Sequence, residues 1–179
     1  MKKTLIIIGT IIIILVIGFY SLNSYIYKTK QGDVGLQIDY KNATYFINNH
    51  SVTLVDGYSE KSIEDSASKV VTRYFGNEAT GDLNGDGISD IAFLLTQNSG
   101  GGGTFYYVVS AVKTDAGYVG TNAVLLGDRV APQTNEIKNG QIIVNYADRR
   151  KHEPMATQPS VGVSRYFKIS DGELVEVKK

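Results

Sequence analysis

The pattern of hydrophobic and polar positions divides the chain into an apolar N-terminal run and a longer region of short alternating segments. The run Leu5–Tyr27 carries no charged side chain and precedes the polar segment 28–42. A helix needs roughly 20 apolar residues to span the hydrocarbon core of a bilayer. We therefore expect a transmembrane anchor or uncleaved signal at 1–27, a stalk at 28–42 and one domain at 43–179.

The charges that flank the apolar run predict its orientation. Lys2 and Lys3 precede it and favour a cytoplasmic N-terminus, although Lys28 and Lys30 on the other flank oppose this orientation. The alternative is a cleaved signal peptide with its apolar core at Leu5–Ile17, but the residues that follow offer no Ala-x-Ala cleavage site. The predicted location is the cell membrane, with a single span and the C-terminal domain outside, periplasmic or extracellular.

From Ala43 onward, β-branched and aromatic segments separated by turn residues predict β-strands. The strongest are Ile91–Thr96 and Thr104–Val112, and the second has apolar residues on both faces, which indicates a central strand covered on two sides. The remaining predicted strands are Thr44–Ile47, Val52–Val55, Lys69–Phe75, Tyr118–Leu126, Glu136–Lys138, Gln141–Tyr146, Val161–Ile169 and Leu174–Val177.

Turn signals and strand spacing predict a mainly β fold of antiparallel sheets, arranged as a sandwich, a barrel or a curled meander. Asn139-Gly140 and Asp171-Gly172 are typical hairpin turn pairs, because both residue types tolerate positive φ. One helix is an alternative between Ile63 and Tyr74, where apolar residues also recur at helical spacing.

A loop with the spacing of an EF-hand carries the clearest chemical signal in the domain. The segment from Asp82 to Asp90 matches the pattern D-x-[DN]-x-[DN]-G. Calcium prefers six to eight oxygen ligands, which alternate positions of a tight loop bring together. The expected ligands of a structural calcium ion are the side chains of Asp82, Asn84, Asp86 and Asp90 and the backbone carbonyl of Ile88, whose side chain should pack inward.

The loop departs from the EF-hand pattern at its end. The twelfth position is Phe93 instead of a bidentate Glu, which predicts a dissociation constant above about 10⁻⁵ M. The alternative is a metal-free turn in which Asp and Asn side chains accept hydrogen bonds from their own backbone.

Four segments resemble a domain found in many bacterial secreted proteins and lipoproteins: Thr72–Glu78, Gly81–Gly87, Gly101–Tyr107 and Leu125–Arg129. The similarity covers about residues 43–177. That domain often has no assigned function, so the resemblance implies no enzyme activity. The calcium loop alone is similar to the loops of FG-GAP and dockerin repeats, which occur on several folds. This chain lacks the lipobox cysteine of the lipoproteins, and a helix would replace the lipid.

Composition excludes several functions. The chain has no cysteine, which excludes disulfides, thiolate zinc sites and catalytic thiols. The first 30 residues contain lysines and no acidic residue, so the rest of the chain has a net negative charge. A negatively charged domain is poorly suited to bind nucleic acid. The chain has no Gly-x-Ser-x-Gly motif, and Gly100–Gly103 lacks the lysine of a phosphate-binding loop. We expect a non-catalytic module that binds an envelope protein or a glycan.

Two other functions stay open at this stage. A hydrolase-type site could be assembled from Asp128, Arg129, Asp148 and His152, and their convergence in one pocket would favour an enzyme. A simpler interpretation of Asp128 and Arg129 is an ion pair at the end of a turn. The third class of function is an inhibitor of a secreted enzyme.

Overall fold

A computed structural model describes residues 39–179 of the chain. The predicted anchor at 1–27 and residues 28–38 of the predicted stalk lie outside the described residues. Within residues 39–179, no helix is long and apolar enough to span a membrane. Residues 39–179 belong to one compact unit, and the short 3₁₀ turn Tyr40–Asn42 is part of it.

The described residues form twelve strands, which confirms the mainly β prediction. Their bounds are β1 (Thr44–Ile47), β2 (His50–Thr53), β3 (Tyr58–Ser62), β4 (Lys69–Gly81), β5 (Asp90–Asn98), β6 (Phe105–Thr114), β7 (Gly117–Gly120), β8 (Val124–Asp128), β9 (Ala131–Lys138), β10 (Gln141–Asp148), β11 (Val161–Ser170) and β12 (Glu173–Val177).

The strands form three antiparallel groups. A six-stranded sheet has the order β3-β4-β5-β6-β7, and β8 pairs with β6 beside β7. A four-stranded sheet has the order β12-β11-β10-β9, and β1 pairs with β2 in a separate hairpin. Each sheet ends in edge strands, so the predicted barrel is not formed within residues 39–179.

The six-stranded sheet is covered on both faces, because successive residues of β5 and β6 point to opposite sides. One face packs against the four-stranded sheet, with the buried residues Leu83, Ala92, Leu94, Val108, Leu126, Val130, Ile142, Val144, Tyr146, Phe167 and Leu174. The other face packs against the β1–β2 hairpin, with the buried residues Ala43, Tyr45, Ile47, Leu54, Ile91, Phe93, Leu95, Tyr107, Val109 and Ala111. The prediction that Thr104–Val112 forms a doubly covered central strand is confirmed.

Three local predictions differ from the structure. The helical alternative between Ile63 and Tyr74 is wrong, since β4 begins at Lys69 and its β-branched residues favour a strand. The predicted strand Tyr118–Leu126 is two strands, because Thr121 turns the chain and its hydroxyl bonds the backbone of Ser110. Strand β3 was not predicted, because its polar sequence is that of a solvent-exposed edge strand.

Candidate functional site

The predicted calcium loop connects β4 to β5. The two strands pair in antiparallel register up to Gly81 and Asp90, so the loop closes the end of a long hairpin. Gly85 and Gly87 have φ values of 84° and 81°, a left-handed conformation that glycine adopts without steric cost. The sequence pattern therefore folds into the tight turn that it predicted.

Asp82 accepts two hydrogen bonds from the backbone of its own loop. Its Oδ1 lies 2.6 Å from the nitrogen of Gly85, and its Oδ2 lies 2.9 Å from the nitrogen of Gly87. The N–H groups of Gly87 and Gly85 hold the pKa of Asp82 below its ordinary value, because they stabilise the charged carboxylate.

Asn84 and Asp86 form a second set of local contacts. The Nδ2 of Asn84 donates to Oδ2 of Asp86 at 2.8 Å, and its Oδ1 accepts from the backbone nitrogen of Asp86 at 3.0 Å. The Oδ1 of Asp86 accepts from the backbone nitrogen of Ile88 at 2.7 Å. The Ile88 side chain is 47% exposed, so the expectation that it packs inward is wrong; the backbone contact to Asp86 orients this residue instead.

Asp90 is set apart from the other acidic residues of the loop by its complete burial. Its Oδ2 accepts from the backbone nitrogen of Leu83 and its Oδ1 from the backbone nitrogen of Lys113, both at 2.9 Å. A carboxylate without a charged partner is costly to bury unless such donors stabilise it. Asp90 therefore links the start of the loop to β6, whether or not a metal binds.

Oxygen atoms of Asp82, Asn84 and Asp86 accept hydrogen bonds from the backbone of their own loop in this structure. Within residues 39–179, no group of three or more His, Asp or Glu side chains is arranged as a metal cluster. The loop still presents hard oxygen donors at alternate positions, which is the chemistry that calcium requires. Phe93, at the twelfth position, is fully buried in the core and supplies no ligand. Calcium binding by the loop stays a prediction.

No protein-family model, curated protein or solved structure matches this chain. The resemblance to the domain of secreted proteins and lipoproteins thus stays a prediction as well.

The second candidate site lies where β8 meets β9. Asp128 accepts a hydrogen bond from the backbone nitrogen of Thr104 at 2.9 Å and two from the Arg129 guanidinium, each at 3.2 Å. Partial burial alone would raise the pKa of Asp128, but the Arg129 guanidinium and the Thr104 N–H hold it below its usual range. The charge of Asp128 is thus already compensated by its neighbours.

Arg149 brings the end of β10 to the same corner. Its Nη1 donates to the backbone carbonyls of Asp128 at 3.3 Å and Arg129 at 3.0 Å. Its Nε donates to the carbonyl of Thr157 at 2.5 Å, and Asp148 accepts from its backbone nitrogen at 2.7 Å. No sequence motif indicates this role, because the carbonyls of Asp128 and Arg129 are distant from Arg149 along the chain.

Within the described residues, His152 forms no hydrogen bond or ion pair with Asp128, Arg129 or Asp148. It is exposed in the turn that follows Arg149, with a φ of 72°. Among the residues that the structure describes, it has no hydrogen bond or ion pair. Of the four residues of the alternative hydrolase-type site, Asp128, Arg129 and Asp148 are thus brought to one corner and His152 is not bonded to them.

A third site, which no sequence motif indicates, is a groove of about 680 Å³ between the β1–β2 hairpin and strands β3 and β4. We call it the hairpin groove, and its lining includes Ser51, Thr53, Ser59, Lys61, Thr72 and Gln97. These residues form no motif along the sequence. Only the pairing register, which places three separate strands side by side, brings them together.

Proposed function

We propose that the chain is a non-catalytic binding module, stabilised by calcium and held at the outer face of a membrane by its N-terminal apolar run. The observation that supports binding most directly is the hairpin groove, which is bordered by the outer edges of two strands, β2 and β3. Exposed strand edges and grooves are typical sites for partner recognition. The expected partner is an envelope protein or a glycan.

The calcium part of the proposal rests on the loop at Asp82. A cation at this loop would offset the repulsion between Asp82 and Asp86, which lie in one short turn. It would also stabilise the connection between β4 and β5, which are paired neighbours in the six-stranded sheet. The role of the ion is therefore structural.

One observation favours the hydrolase alternative, namely the shared corner of Asp128 and Asp148. Against it, Asp128 is bonded to Arg129 and to backbone, and Arg149 binds carbonyls that hold the corner together. A general base must be able to reach a substrate proton. A hydrolase would lose turnover of chromogenic ester, phosphate or glycoside substrates in Asp128→Asn, whereas the binding module has no such turnover in the wild type.

Cross-linking in living cells tests the binding function. A photo-reactive amino acid is placed singly at exposed positions over the whole domain, including Ser62, Lys151 and Asp171, and adducts are identified by mass spectrometry. We expect specific adducts with one partner from at least one surface. A scan without adducts at any position would contradict a binding function.

Protease treatment of cells with a permeabilised outer layer tests the location. The domain should be digested while the inner membrane is intact, because it lies on the outer face. Digestion only after the inner membrane is lysed would place the domain in the cytoplasm and refute this part of the proposal.

A further inference from the structure

The floor of the hairpin groove is the side of the six-stranded sheet that faces the hairpin. Residues that pair directly across antiparallel strands share one face, and Ser59, Thr72 and Gln97 form such a row. The Nε2 of Gln97 donates to the hydroxyl of Thr72 at 3.2 Å. Tyr74, two residues beyond Thr72, packs against Phe93 of the hairpin-side core. Ser59 and Gln97 are partly exposed at the ends of this row, whereas Thr72 between them is buried.

Within residues 39–179 the hairpin has one unpaired edge, and this edge faces the groove. The other edge is paired, because Phe46 in β1 exchanges backbone hydrogen bonds with the carbonyl of Thr121 and the nitrogen of Ala123, at 3.2 and 2.8 Å. Antiparallel pairing alternates, and the tight turn at Asn48-Asn49 makes Ile47 and His50 a bonded pair. The main-chain groups that point away from β1 are therefore those of Ser51 and Thr53.

Strand β3 presents a second free edge to the same groove. The nitrogen of Tyr74 bonds the carbonyl of Gly57, and the nitrogen of Ile63 bonds the carbonyl of Ser68. By the same alternation, the main-chain groups of Glu60 and Ser62 point away from β4. Among residues 39–179, no strand pairs with the outer edge of either β2 or β3.

The two free edges diverge from a closed end. Val55 and Tyr58 bond each other through both backbone groups, at 2.8 and 3.0 Å, across the turn Asp56-Gly57. Beyond this pair, β2 continues in the hairpin and β3 in the six-stranded sheet. The result is a wedge-shaped opening with unpaired main-chain donors and acceptors on both sides.

Lys61 also contributes a positive charge to the floor of the groove. Lys61 lies two residues from Ser59 on the same strand, and thus on the same face. It is exposed, and within the described residues it forms no ion pair. The neighbouring Glu60 already pairs with Lys69 at 2.5 Å. Glu64 and His50 also line the groove, one beyond the end of β3 and the other at the hairpin turn.

We propose that the hairpin groove binds an extended acidic peptide segment of another protein, which adds to the edge of β2 as a third strand of the hairpin layer. The peptide backbone pairs with Ser51 and Thr53, and its inward side chains meet the hydroxyl of Ser59 and the ammonium of Lys61. This is strand addition, in which main-chain bonds give affinity and alternate side chains give specificity. The inference rests on the proposed binding function and names its site and partner.

A second copy of the domain fits the groove less well than a single segment. An inserted strand must be free on both faces and both edges to enter between two layers. Every strand of the described residues is already part of a sheet or hairpin, so a second copy would have to bring a whole layer into the groove with the added strand. An isolated extended segment meets no such obstacle.

Selection from a random library of displayed eight-residue peptides, on the full chain in detergent, tests the proposal. We expect enrichment of peptides with Asp or Glu at alternate positions. Lys61→Glu should reverse the preference to Lys or Arg, while Lys151→Glu, which makes the same charge change in an exposed loop, should leave the preference unchanged. Thr53→Pro removes a main-chain donor that points into the groove but no main-chain hydrogen bond to β1, and should weaken binding at least tenfold. Thr53→Val, which loses only the hydroxyl contact with Thr44, is its control and should bind normally.

The outcomes separate this proposal from the general binding function. Peptides whose binding is unaffected by Lys61→Glu and Thr53→Pro would overturn the groove as the site, although the chain would still be a binding module. Absence of any enrichment would also overturn the groove proposal, and the cross-linking scan then decides the binding function on its own. Self-association that Thr53→Pro abolishes would show that a second copy is the occupant, and would overturn the acidic peptide. Because Lys61→Glu changes only an exposed side chain, the test holds even if Thr53→Pro fails to fold.

Discussion

Asp90 and Lys113 are joined by a hydrogen bond from the backbone nitrogen of Lys113 to Oδ1 of Asp90, 2.9 Å long. The other carboxylate oxygen accepts from the backbone nitrogen of Leu83 at the same distance. The last residue of the predicted calcium loop is therefore the contact that ties this loop to the neighbouring strand β6. Asp90 is thus both a predicted calcium ligand and a structural contact between the loop and β6.

Substitution of Asp90 by Asn should destabilise the domain in the absence of metal. The amide keeps the shape of the side chain but faces one of the two backbone N–H groups with a donor, and that group stays buried without an acceptor. We expect a loss of about 2–4 kcal/mol in the free energy of unfolding, measured by urea denaturation with a chelator present. Asp86→Asn, at an exposed position of the same loop, is the control and should change little. Equal stability of the two variants would contradict this role.

Calcium should raise the midpoint of thermal unfolding of the wild-type chain at millimolar concentration, because a ligand that binds only the folded state stabilises it. Asp82→Asn and Asp86→Asn should each reduce the increase, since each removes a charged oxygen donor. Asp171→Asn, in an exposed hairpin turn, should retain it. Differential scanning calorimetry and isothermal titration measure the two effects. No heat of binding and no change of midpoint would show that the loop is a metal-free turn.

Asn122 links the segment between β7 and β8 to β12, and its loss should be costly. Its Nδ2 donates to the carbonyl of Leu174 at 3.0 Å, and its Oδ1 accepts from the nitrogen of Leu174 at 2.6 Å. Asn122→Ala leaves both backbone groups of a buried residue unpaired, so we expect a loss of about 2 kcal/mol. Gln133→Ala, at an exposed position of β9, accounts for a general effect of removing an amide side chain. Chemical denaturation that shows no difference between the two variants would refute the link.

The Arg165–Glu176 pair predicts part of the acid sensitivity of the domain. The guanidinium holds the pKa of Glu176 below its ordinary value of 4.5, through hydrogen bonds of 2.6 and 2.8 Å. A carboxylate with a lowered folded-state pKa contributes its stability above the ordinary value, and that stability is lost as the pH falls through the folded pKa. Glu176→Gln should therefore reduce stability at pH 7 by less than about 1 kcal/mol, because the pair is partly exposed.

The measurement for this pair is the difference in unfolding free energy between wild type and Glu176→Gln as a function of pH. The difference should be constant above pH 5 and should shrink below about pH 4.5 as the wild-type carboxyl is protonated. A difference that does not depend on pH would mean that the glutamine acts through packing instead of charge.

Most strands could be predicted from the sequence because their alternation and turn residues are local signals. The long apolar run at Ile91–Leu95 identified β5, and the turn pairs Asn139-Gly140 and Asp171-Gly172 have the positive φ values expected of hairpins. Strand β3 could not be predicted, since an exposed edge strand has few apolar residues. Its existence depends on the register with β4, which is a tertiary property.

For the candidate sites too, local features could be predicted from the sequence and long-range contacts could not. The loop at Asp82 was recognisable because all its donors lie within nine residues of sequence, but the interior position of Asp90 was not, since it depends on Lys113 in another strand. The contacts of Arg149 and the hairpin groove join segments that are far apart along the chain. No local pattern carries such information, so only the folded arrangement reveals them.

The double covering of β5 has a consequence for a chain that is only partly folded. Ile91–Leu95 contains neither charge nor proline and owes its protection to one layer on each side. Segments of this kind self-associate readily once they are exposed. Detachment of either layer would thus expose β5 and allow it to nucleate aggregation. Intermediates that have lost one layer should therefore refold in higher yield from dilute solution than from concentrated solution.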